Sequence, residues 1–415
     1  MNPSRTHLPS LFSSLLFLLG ALFFFSIGLV MGVTALGALL AGKSIEANQT
    51  IFFLAFGFEG LILLIATFIS IQKFLNRPIV EQPAVLSLSR AQIAICIISA
   101  GIAVLIGSQI SGNGSVNWWL LPVLTIPAVA LPLWLLLALG IQKLPLGTRW
   151  QTWTVLGLGM TLGPLILIIL EAIVIIIGFL GAILYIFSQP ELLVEVQRLS
   201  QQMLLLDPNS EAALSLIAPY LTQPIVIVSA LSYFALIIPA IEEIFKPIGV
   251  WIFGGKLESP AQGFALGALS GAGFALAETF GVSGQTSEWA GLLLSRIGTG
   301  VLHITTSALM GAAIVLAWHE RRYFRLLGTY LLVIALHGLW NALAITYTFS
   351  GLGDFLDQPG PFMTLQQPIG IGMGILAIVI FGILIISNRK MTAAASMLKP
   401  PSGAAGIATG TTPET

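Results

Sequence analysis

Long apolar runs separated by short polar segments occupy almost the whole chain. Ten runs are long enough to cross a bilayer as a helix, which takes about 20 predominantly apolar residues. They lie near residues 11–40, 51–72, 91–110, 118–141, 154–187, 223–253, 262–282, 290–317, 326–347 and 367–387. This pattern predicts an all-α fold, a polytopic membrane helix bundle of about ten transmembrane helices.

The composition supports a membrane protein without a soluble domain of useful size. Of the 415 residues, 56% are hydrophobic and only 8% are charged, whereas a soluble globular chain carries about 25% charged residues. The formal net charge is zero, which argues against a nucleic-acid partner. The sequence therefore predicts that the protein is embedded in a lipid bilayer.

The basic residues predict an orientation. If the N-terminus is cytoplasmic and the ten runs alternate, fourteen of the seventeen Lys and Arg residues fall on the cytoplasmic side. Cytoplasmic loops of membrane proteins carry such an excess of Lys and Arg. We therefore expect both termini to be cytoplasmic.

The runs and the segments between them suggest five parts. Residues 188–222 carry acidic residues and helical periodicity, which is typical of an amphipathic helix at the membrane surface. That segment is either a lid over a substrate or a plain connector. The predicted parts are an N-terminal five-helix membrane region of unassigned role (1–187), an exterior amphipathic connector (188–222), a four-helix core (223–347), the last transmembrane helix (348–399) and a disordered tail (400–415).

Acidic and imidazole side chains lie inside the apolar runs of the core. Glu242 and Glu243 are adjacent within one run, and an ionised side chain at membrane depth costs about 2.5 kcal/mol or more, so that it usually marks function. Three further runs contain Glu278, His303 and His337. A rise of about 1.5 Å per residue places all of them at depths compatible with one cluster.

The run that contains Glu278 also has a stripe of small residues. Gly263, Gly267 and Gly271 repeat every four positions, a spacing that lets two membrane helices approach closely. We expect this close approach to bring Glu278 near its partners, although the stripe would serve ordinary helix packing equally well.

Several neighbouring polar residues have two interpretations. Lys246 is three residues from Glu243 and four from Glu242, so it can form an ion pair with either glutamate. That ion pair would be either part of a catalytic site or purely structural. Asn341 shares a helix face with His337, as a site residue or as interhelical hydrogen-bond glue. Arg296 would either orient an acid or extend to the surface.

Two other acids lie in the first half of the chain. Glu59 and Glu171 belong to no recognisable motif. They would either form hydrogen bonds within the bundle or line a water path, and we leave them outside the predicted site.

The clustered residues suit hydrolysis of a peptide bond. This reaction needs a base to activate water, a group that stabilises the oxyanion and an acid for the leaving amine. Alternatively, glutamate and histidine side chains would bind zinc with an open fourth position. The metal candidates are Glu278, His303 and His337, although the chain lacks the His-Glu-x-x-His spacing of common zinc proteases.

Four motifs in residues 223–347 resemble the PrsW-type intramembrane protease family, which is related to the CAAX-prenyl endopeptidase-like membrane proteases. The motifs are Glu242-Glu243-x-x-Lys246, Phe274-x-x-x-Glu278, Arg296 followed by His303 and Gly311, and His337-Gly-Leu-Trp-Asn341. CAAX-type relatives carry a histidine where this chain has Glu278, which disfavours prenyl-protein processing. PrsW-like members usually have Asn where this chain has Thr279.

The resemblance implies an intramembrane endopeptidase with residues 223–347 as its PrsW-like catalytic core. It also implies a membrane protein as the substrate and the bacterial inner membrane as the location. By analogy, Glu242 is the base that activates water and Glu243 supports it or pairs with Lys246. His337 and Asn341 would stabilise the oxyanion, while Glu278 and His303 complete the polar cavity. Members of the family are described both as metalloproteases and as metal-independent glutamic proteases, so the cofactor is either none or zinc.

Three functions remain open at this point. The first is an endopeptidase that acts on a regulatory single-pass protein such as an anti-sigma factor. The second is a proton- or cation-coupled transporter in which the same Glu and His residues relay ions. The third is an inactive scaffold that descends from a protease. The motifs favour the first.

Overall fold

The computed structural model describes residues 7–77, 86–208, 210–284, 289–351 and 365–397, and these residues form helices joined by short turns. The first eight helices are α1 (Leu8–Leu40), α2 (Ala47–Phe74), α3 (Arg90–Ile110), α4 (Asn117–Gly140), α5 (Arg149–Met160), α6 (Leu162–Ser188), α7 (Pro190–Met203) and α8 (Glu211–Leu221). The remaining ones are α9 (Pro224–Ser232), α10 (Ile238–Phe245), α11 (Ile248–Phe253), α12 (Pro260–Val282), α13 (Trp289–Glu320), α14 (Tyr323–Ser350) and α15 (Gln366–Met397).

Ten stretches of the described chain are long and apolar enough to cross a membrane, which confirms the predicted all-α bundle. The fifth span joins α5 and α6 into residues 149–188, and the sixth runs from α9 to the short turn after α11, residues 224–256. Both are longer than the roughly 20 residues that a helix needs to cross a bilayer. The cytoplasmic placement of the two termini stays a prediction.

Two helices form the centre of the bundle. In the most apolar window of α13, 94% of the residues are buried, and in that of α12 78% are buried. In the other eight spans the share is 39% or less, because their apolar side chains face outward as lipid-facing residues do. The site helices α12 and α13 are therefore held on all sides by protein.

The small-residue stripe of α12 makes this centre tight. A Cβ atom at Gly267 would collide with the carbonyl oxygen of Ser307, and one at Gly271 would collide with that of His303. Gly311 on α13 meets the carbonyl oxygen of Gly263 in the same way. The expected close approach of the two helix backbones is thus present, and it places α12 directly beside His303.

The sixth span is a broken helix. Between α9 and α10 the chain makes one turn of π-helix, Tyr233–Ile237, and α10 ends before Pro247. Pro239 has no N–H to donate to the carbonyl four residues earlier, and a π-turn is a common response to such a break. Irregular backbone of this kind at membrane depth survives only where protein groups satisfy it.

Side chains donate hydrogen bonds to carbonyl groups in and just after α10. Tyr330 Oη donates to Ala240 O at 2.6 Å, and Ser270 Oγ donates to Lys246 O at 2.5 Å. Within the span itself, Trp251 Nε1 donates to Ile244 O at 2.8 Å. These bonds fix the position of the short helix α10, which carries the glutamate pair.

The predicted connector is also helical. Residues 188–222 contain α7 and α8, and no residue of α7 is buried. Tyr220 Oη of α8 donates to Glu195 Oε1 of α7 at 2.9 Å, which raises the pKa of the Tyr220 phenol above its ordinary value. The side on which this pair lies stays a prediction, and the predicted tail at 400–415 lies outside the described residues.

Candidate active site

The titratable residues of the core converge from four helices. Glu242 and Glu243 lie on α10, Glu278 on α12, His303 on α13 and His337 on α14. Glu243, His303 and His337 are at most 2% exposed, and Glu242 is 9% exposed. The sequence places these residues on separate spans, and the fold brings all of them into one contact network.

The ammonium group of Lys246 lies at the centre of this network. Lys246 Nζ is 2.7 Å from Glu242 Oε2 and 3.0 Å from Glu243 Oε1. It is also 2.7 Å from His303 Nδ1. The side chain is completely buried, and a buried charge needs direct partners to offset the loss of its hydration. Lys246 thus contacts both glutamates at once and a histidine as well, which goes beyond the predicted pairing with one of them.

Each histidine donates one ring N–H to a carboxylate. His337 Nδ1 is 2.8 Å from Glu243 Oε1, and His303 Nε2 is 2.8 Å from Glu278 Oε2. An ionised carboxylate only accepts hydrogen bonds, so these two ring nitrogens carry the protons. His337 Nδ1 also lies 3.2 Å from Lys246 Nζ, but an ammonium has no acceptor, so the shorter contact with Glu243 decides the tautomer.

The tautomers determine which ring nitrogens keep a lone pair. His337 Nε2 is 3.8 Å from Glu242 Oε2, close enough for both atoms to share a water or an ion. On His303 the remaining lone pair is on Nδ1, which accepts from Lys246. This arrangement, a carboxylate behind each imidazole, is the one that fixes histidine orientation in metal and hydrolytic sites.

Arg296 holds the third glutamate. Its guanidinium Nη2 is 2.6 Å from Glu278 Oε2, and its Nε donates to Thr279 Oγ1 at 3.3 Å. Of the two predicted roles for Arg296, the structure thus has the one in which it orients an acid. Thr279, which departs from the usual Asn, serves as the acceptor that anchors the arginine.

A cavity of about 300 Å³ opens beside these residues. Glu242, Glu278, His303 and His337 all contribute to its wall, and its volume is large enough for several water molecules. The other lining residues are Val282, Leu292, Ser295, Arg296, Thr299, Trp340, Asn341, Ala344 and Met373.

Asn341 lies on the cavity wall one turn beyond His337. Its Nδ2 donates to Phe234 O in the π-turn at 2.8 Å, which leaves the second Nδ2 proton and Oδ1 for the cavity. Asn341 therefore both fixes the broken helix and faces the site. The sequence predicted a site role or an interhelical hydrogen bond as alternatives, and it did not indicate that the bond would go to a π-turn.

One group of side chains has the spacing of a metal site. Donor atoms of Glu242, His303 and His337 lie within 4.8 Å of one another. Tetrahedral zinc with bonds of about 2.1 Å has its ligand atoms roughly 3.4 Å apart, so these atoms need to close in by at most about 1.4 Å. Two imidazoles and one carboxylate are a common donor set for catalytic zinc.

The three side chains therefore fit a divalent ion in type and spacing. Because Lys246 Nζ is within 2.7 Å of donor atoms on Glu242 and His303, an ion there requires the ammonium to turn toward Glu243. The sequence paired the histidines with Glu278 as metal candidates. In the structure, Glu278 contacts Arg296 and His303 Nε2. Glu242 is the carboxylate that lies close to both histidines.

Sequence reasoning left Glu171 of α6 outside the site. It is half-buried on α6, a helix that packs against α10 and α12. The available signal was an acid in an otherwise apolar span, but without a motif nothing indicated which side of the helix it faces. Glu59 is completely buried in α2 and does not line the described cavity.

Carboxylates and imidazoles around an internal cavity of a membrane-spanning bundle fit an intramembrane hydrolase. Residues 149–364 match the family described as PrsW family intramembrane metalloprotease, and the chain belongs to this family. It is therefore a multi-pass membrane protein and an intramembrane protease of the PrsW type. The match begins in α5, well before the predicted core at residue 223. No curated protein and no solved structure matches the chain.

Proposed function

We propose that the chain hydrolyses a peptide bond in or near the transmembrane segment of a membrane protein, and that Glu242 activates the attacking water. The observation that carries this proposal is the 3.8 Å separation of Glu242 Oε2 and His337 Nε2 on the wall of the cavity. A water that contacts both atoms lies where a substrate carbonyl can reach it.

Glu242 is the residue suited to accept the proton of that water. Its Oε2 lies 3.8 Å from His337 Nε2 and therefore next to the proposed water, in addition to its contact with Lys246. This oxygen takes the proton of the water and returns it to the leaving amine, as general acid–base catalysis requires.

Glu243 and His337 act together in the proposed reaction. A proton taken from solvent water at Nε2 converts His337 to the imidazolium, which the Glu243 carboxylate at Nδ1 stabilises, and this Nε2–H donates to the developing oxyanion. The second Nδ2 proton of Asn341 supplies another donor on the same wall. Lys246 holds Glu243 and Glu242 at fixed positions relative to each other.

Glu278 and His303 complete the proposed site. Glu278 fixes the His303 ring, and Arg296 in turn fixes Glu278. If a divalent ion is the cofactor, Glu242, His303 and His337 would hold it, and it would polarise the water and the scissile carbonyl. Zinc is the ion that this donor set favours.

The proposed substrate is a single-pass regulatory protein, for which an anti-sigma factor is an example, and the proposed location is the bacterial inner membrane. Residues 223–347 carry every side chain to which the reaction above assigns a role, and we propose this segment as the catalytic core. A transporter or an inactive scaffold gains no support from the family match.

The test is comparative membrane proteomics of cells that express either the wild-type protein or Glu242→Gln. We expect one single-pass protein to accumulate uncut in the variant cells, and purified wild-type protein to cleave it in proteoliposomes. Glu59→Gln is the matched control, since it removes a buried membrane acid that does not line the cavity. Cleavage by purified Glu242→Gln at the wild-type rate would overturn the assignment.

A further inference from the structure

Helix α4 of the N-terminal region packs along the first part of α13, the helix that carries His303. At the start of α13, the Trp289 indole donates to Thr125 Oγ1 of α4 at 3.1 Å. Further along, Leu133 of α4 fills the space at Gly300, where a Cβ would collide with the Leu133 side chain. A helix from the region without an assigned role is thus in direct contact with a helix of the site.

A small cavity lies between α4, α12 and α13. Its volume of about 10 Å³ is close to the minimum that holds a single water molecule. The polar side chains in its lining are those of Thr279 and Arg296, and the other lining residues are Ala128, Val129, Leu133, Leu293 and Ile297. Because a buried water needs several polar partners, the polar groups around this space decide whether it holds one.

The α4 side of the cavity supplies a hydrogen-bond acceptor. Pro132 lies inside α4 and has no N–H, so the carbonyl oxygen of Ala128, four residues earlier, lacks its usual helical hydrogen bond. Ala128 is 1% exposed, and a carbonyl group that is freed in this way at membrane depth needs another donor from a neighbouring helix or an ordered water. The cavity beside Ala128 is a place where such a water fits.

The α12 and α13 side of the cavity supplies donors. Thr279 Oγ1 accepts from Arg296 Nε at 3.3 Å, so the hydroxyl proton of Thr279 can be donated to a further acceptor. The guanidinium has more N–H groups than its contacts with Thr279 and Glu278 use. A water in the cavity therefore has an acceptor on α4 and donors on both α12 and α13.

We propose that one ordered water in this cavity joins Ala128 O to Thr279 and Arg296, and that α4 is thereby a positioning element of the active site. The water donates to the carbonyl oxygen and accepts from the hydroxyl and from a guanidinium N–H. Arg296 contacts Glu278, and Glu278 fixes the His303 ring, so a displaced guanidinium also displaces the imidazole. The expected effect on cleavage rests on the proposed function, whereas the water itself does not.

The water is detected by radiolytic footprinting, which needs no substrate. A brief X-ray pulse converts bound water into hydroxyl radicals, which oxidise the nearest side chains, and mass spectrometry locates the products. In protein purified in lipid nanodiscs, we expect Leu293, which lines the cavity and is 1% exposed, to be oxidised severalfold faster than Leu302. Leu302 is equally buried on the same helix and lines neither described cavity. Equal rates at the two leucines would overturn the proposal.

Two proline variants test where the water is held. Pro132→Ala restores a backbone donor for the freed carbonyl group, so it should lower the oxidation rate of Leu293 severalfold. Pro127→Ala is the matched control in the same helix, because the carbonyl group that it affects belongs to Val123, which is 54% exposed and lines neither described cavity. A Leu293 rate that Pro132→Ala lowers no more than Pro127→Ala does would contradict the bridge.

Thr279→Val approaches the same water from α12. It removes the hydroxyl group and nearly keeps the shape of the side chain, so it should also slow the oxidation of Leu293. This variant decides the question if Pro132→Ala does not fold, judged by size-exclusion profile and thermal midpoint. A wild-type rate of Leu293 oxidation in Thr279→Val would overturn the proposal.

The positioning role is tested by a double-variant cycle on cleavage. The substrate is the single-pass protein that accumulates uncut in Glu242→Gln cells. Pro132→Ala and Thr279→Val should each lower kcat by about 10-fold with KM unchanged, because the variants disturb the support of the His303 ring and remove no substrate contact. The combined variant should be no slower than the slower single variant, since both changes break the same bridge. Effects that multiply in the combined variant would show that the two residues act independently.

The two readouts separate this inference from the proteolytic function. Wild-type protein that is oxidised at Leu293 as expected but cleaves no substrate would support the water and contradict the proteolytic function. Wild-type protein that cleaves its substrate, while Pro132→Ala changes neither the oxidation of Leu293 nor kcat, would contradict this inference alone.

Discussion

His337 Nδ1 lies 2.8 Å from Glu243 Oε1, so that the second glutamate of the pair fixes the imidazole whose other nitrogen faces the first. The two adjacent glutamates therefore have different surroundings. Glu243 is completely buried behind the histidine, whereas Glu242 lines the cavity. The two adjacent acids on this short helix thus have different positions: one lines the cavity and the other contacts the histidine.

Glu243→Gln should lower the rate of peptide cleavage by about 10- to 100-fold, the usual effect of removing a carboxylate that orients a catalytic or metal-binding histidine. An amide carries no charge to stabilise the His337 imidazolium. The measurement is cleavage of a reconstituted substrate, with Glu59→Gln as a buried-acid control. Full activity of Glu243→Gln would show that His337 does not depend on this contact.

Lys246→Met should destabilise the protein by about 3–5 kcal/mol, because removing one partner of a buried charge network leaves the other charges uncompensated. Lys246 is completely buried between Glu242 and Glu243. The thermal midpoint in detergent measures the effect, and Lys256→Met, at an exposed position, is the matched control. Equal midpoints for the two variants would mean that Lys246 is not the counter-ion of the pair.

The spans and the contact of α12 with α13 could be predicted from the sequence, because hydropathy and a four-residue glycine spacing are local properties of a helix. The convergence of Glu242, His303 and His337 was also predictable, since similar depth on neighbouring spans limits where their side chains can meet. Both features depend mainly on where a residue lies along its helix, which the sequence gives directly.

The rotation of each helix about its own axis depends on its packing partners and cannot be predicted from the helix sequence alone. The direction in which each site side chain points depends on this rotation. Glu171 has the same apolar neighbours in sequence whether it faces lipid or the site. The grouping of Glu242 with the two histidines, in place of Glu278, follows from the π-turn before α10 and from the pull of Arg296 on Glu278. Neither the irregular turn nor that ion pair has a sequence pattern of its own.

Gly267→Ala should destabilise the bundle by about 1–3 kcal/mol, the usual cost of adding atoms to a closely packed contact. The added Cβ would collide with the Ser307 carbonyl oxygen, which is backbone and cannot turn aside. Cleavage should fall as well, since moving α12 away from α13 separates Glu278 from His303. Gly372→Ala in α15, where a Cβ has open space, controls for the substitution itself, and an equal thermal midpoint in both variants would contradict the prediction.

The protein purified without chelator should contain about one divalent ion per chain, measured by elemental mass spectrometry. Glu242→Gln, His303→Ala and His337→Ala should each lose it, because they remove one of the three grouped donors. Glu278→Gln should retain the ion with about 10- to 100-fold weaker affinity, since Glu278 does not bind the ion itself but orients the His303 ring by accepting a hydrogen bond from Nε2. Loss of the ion from Glu278→Gln but not from Glu242→Gln would instead place the ligand set at Glu278, His303 and His337. Full cleavage by protein that a chelator has freed of metal would establish the metal-independent mechanism, in which Glu242 acts alone as the base.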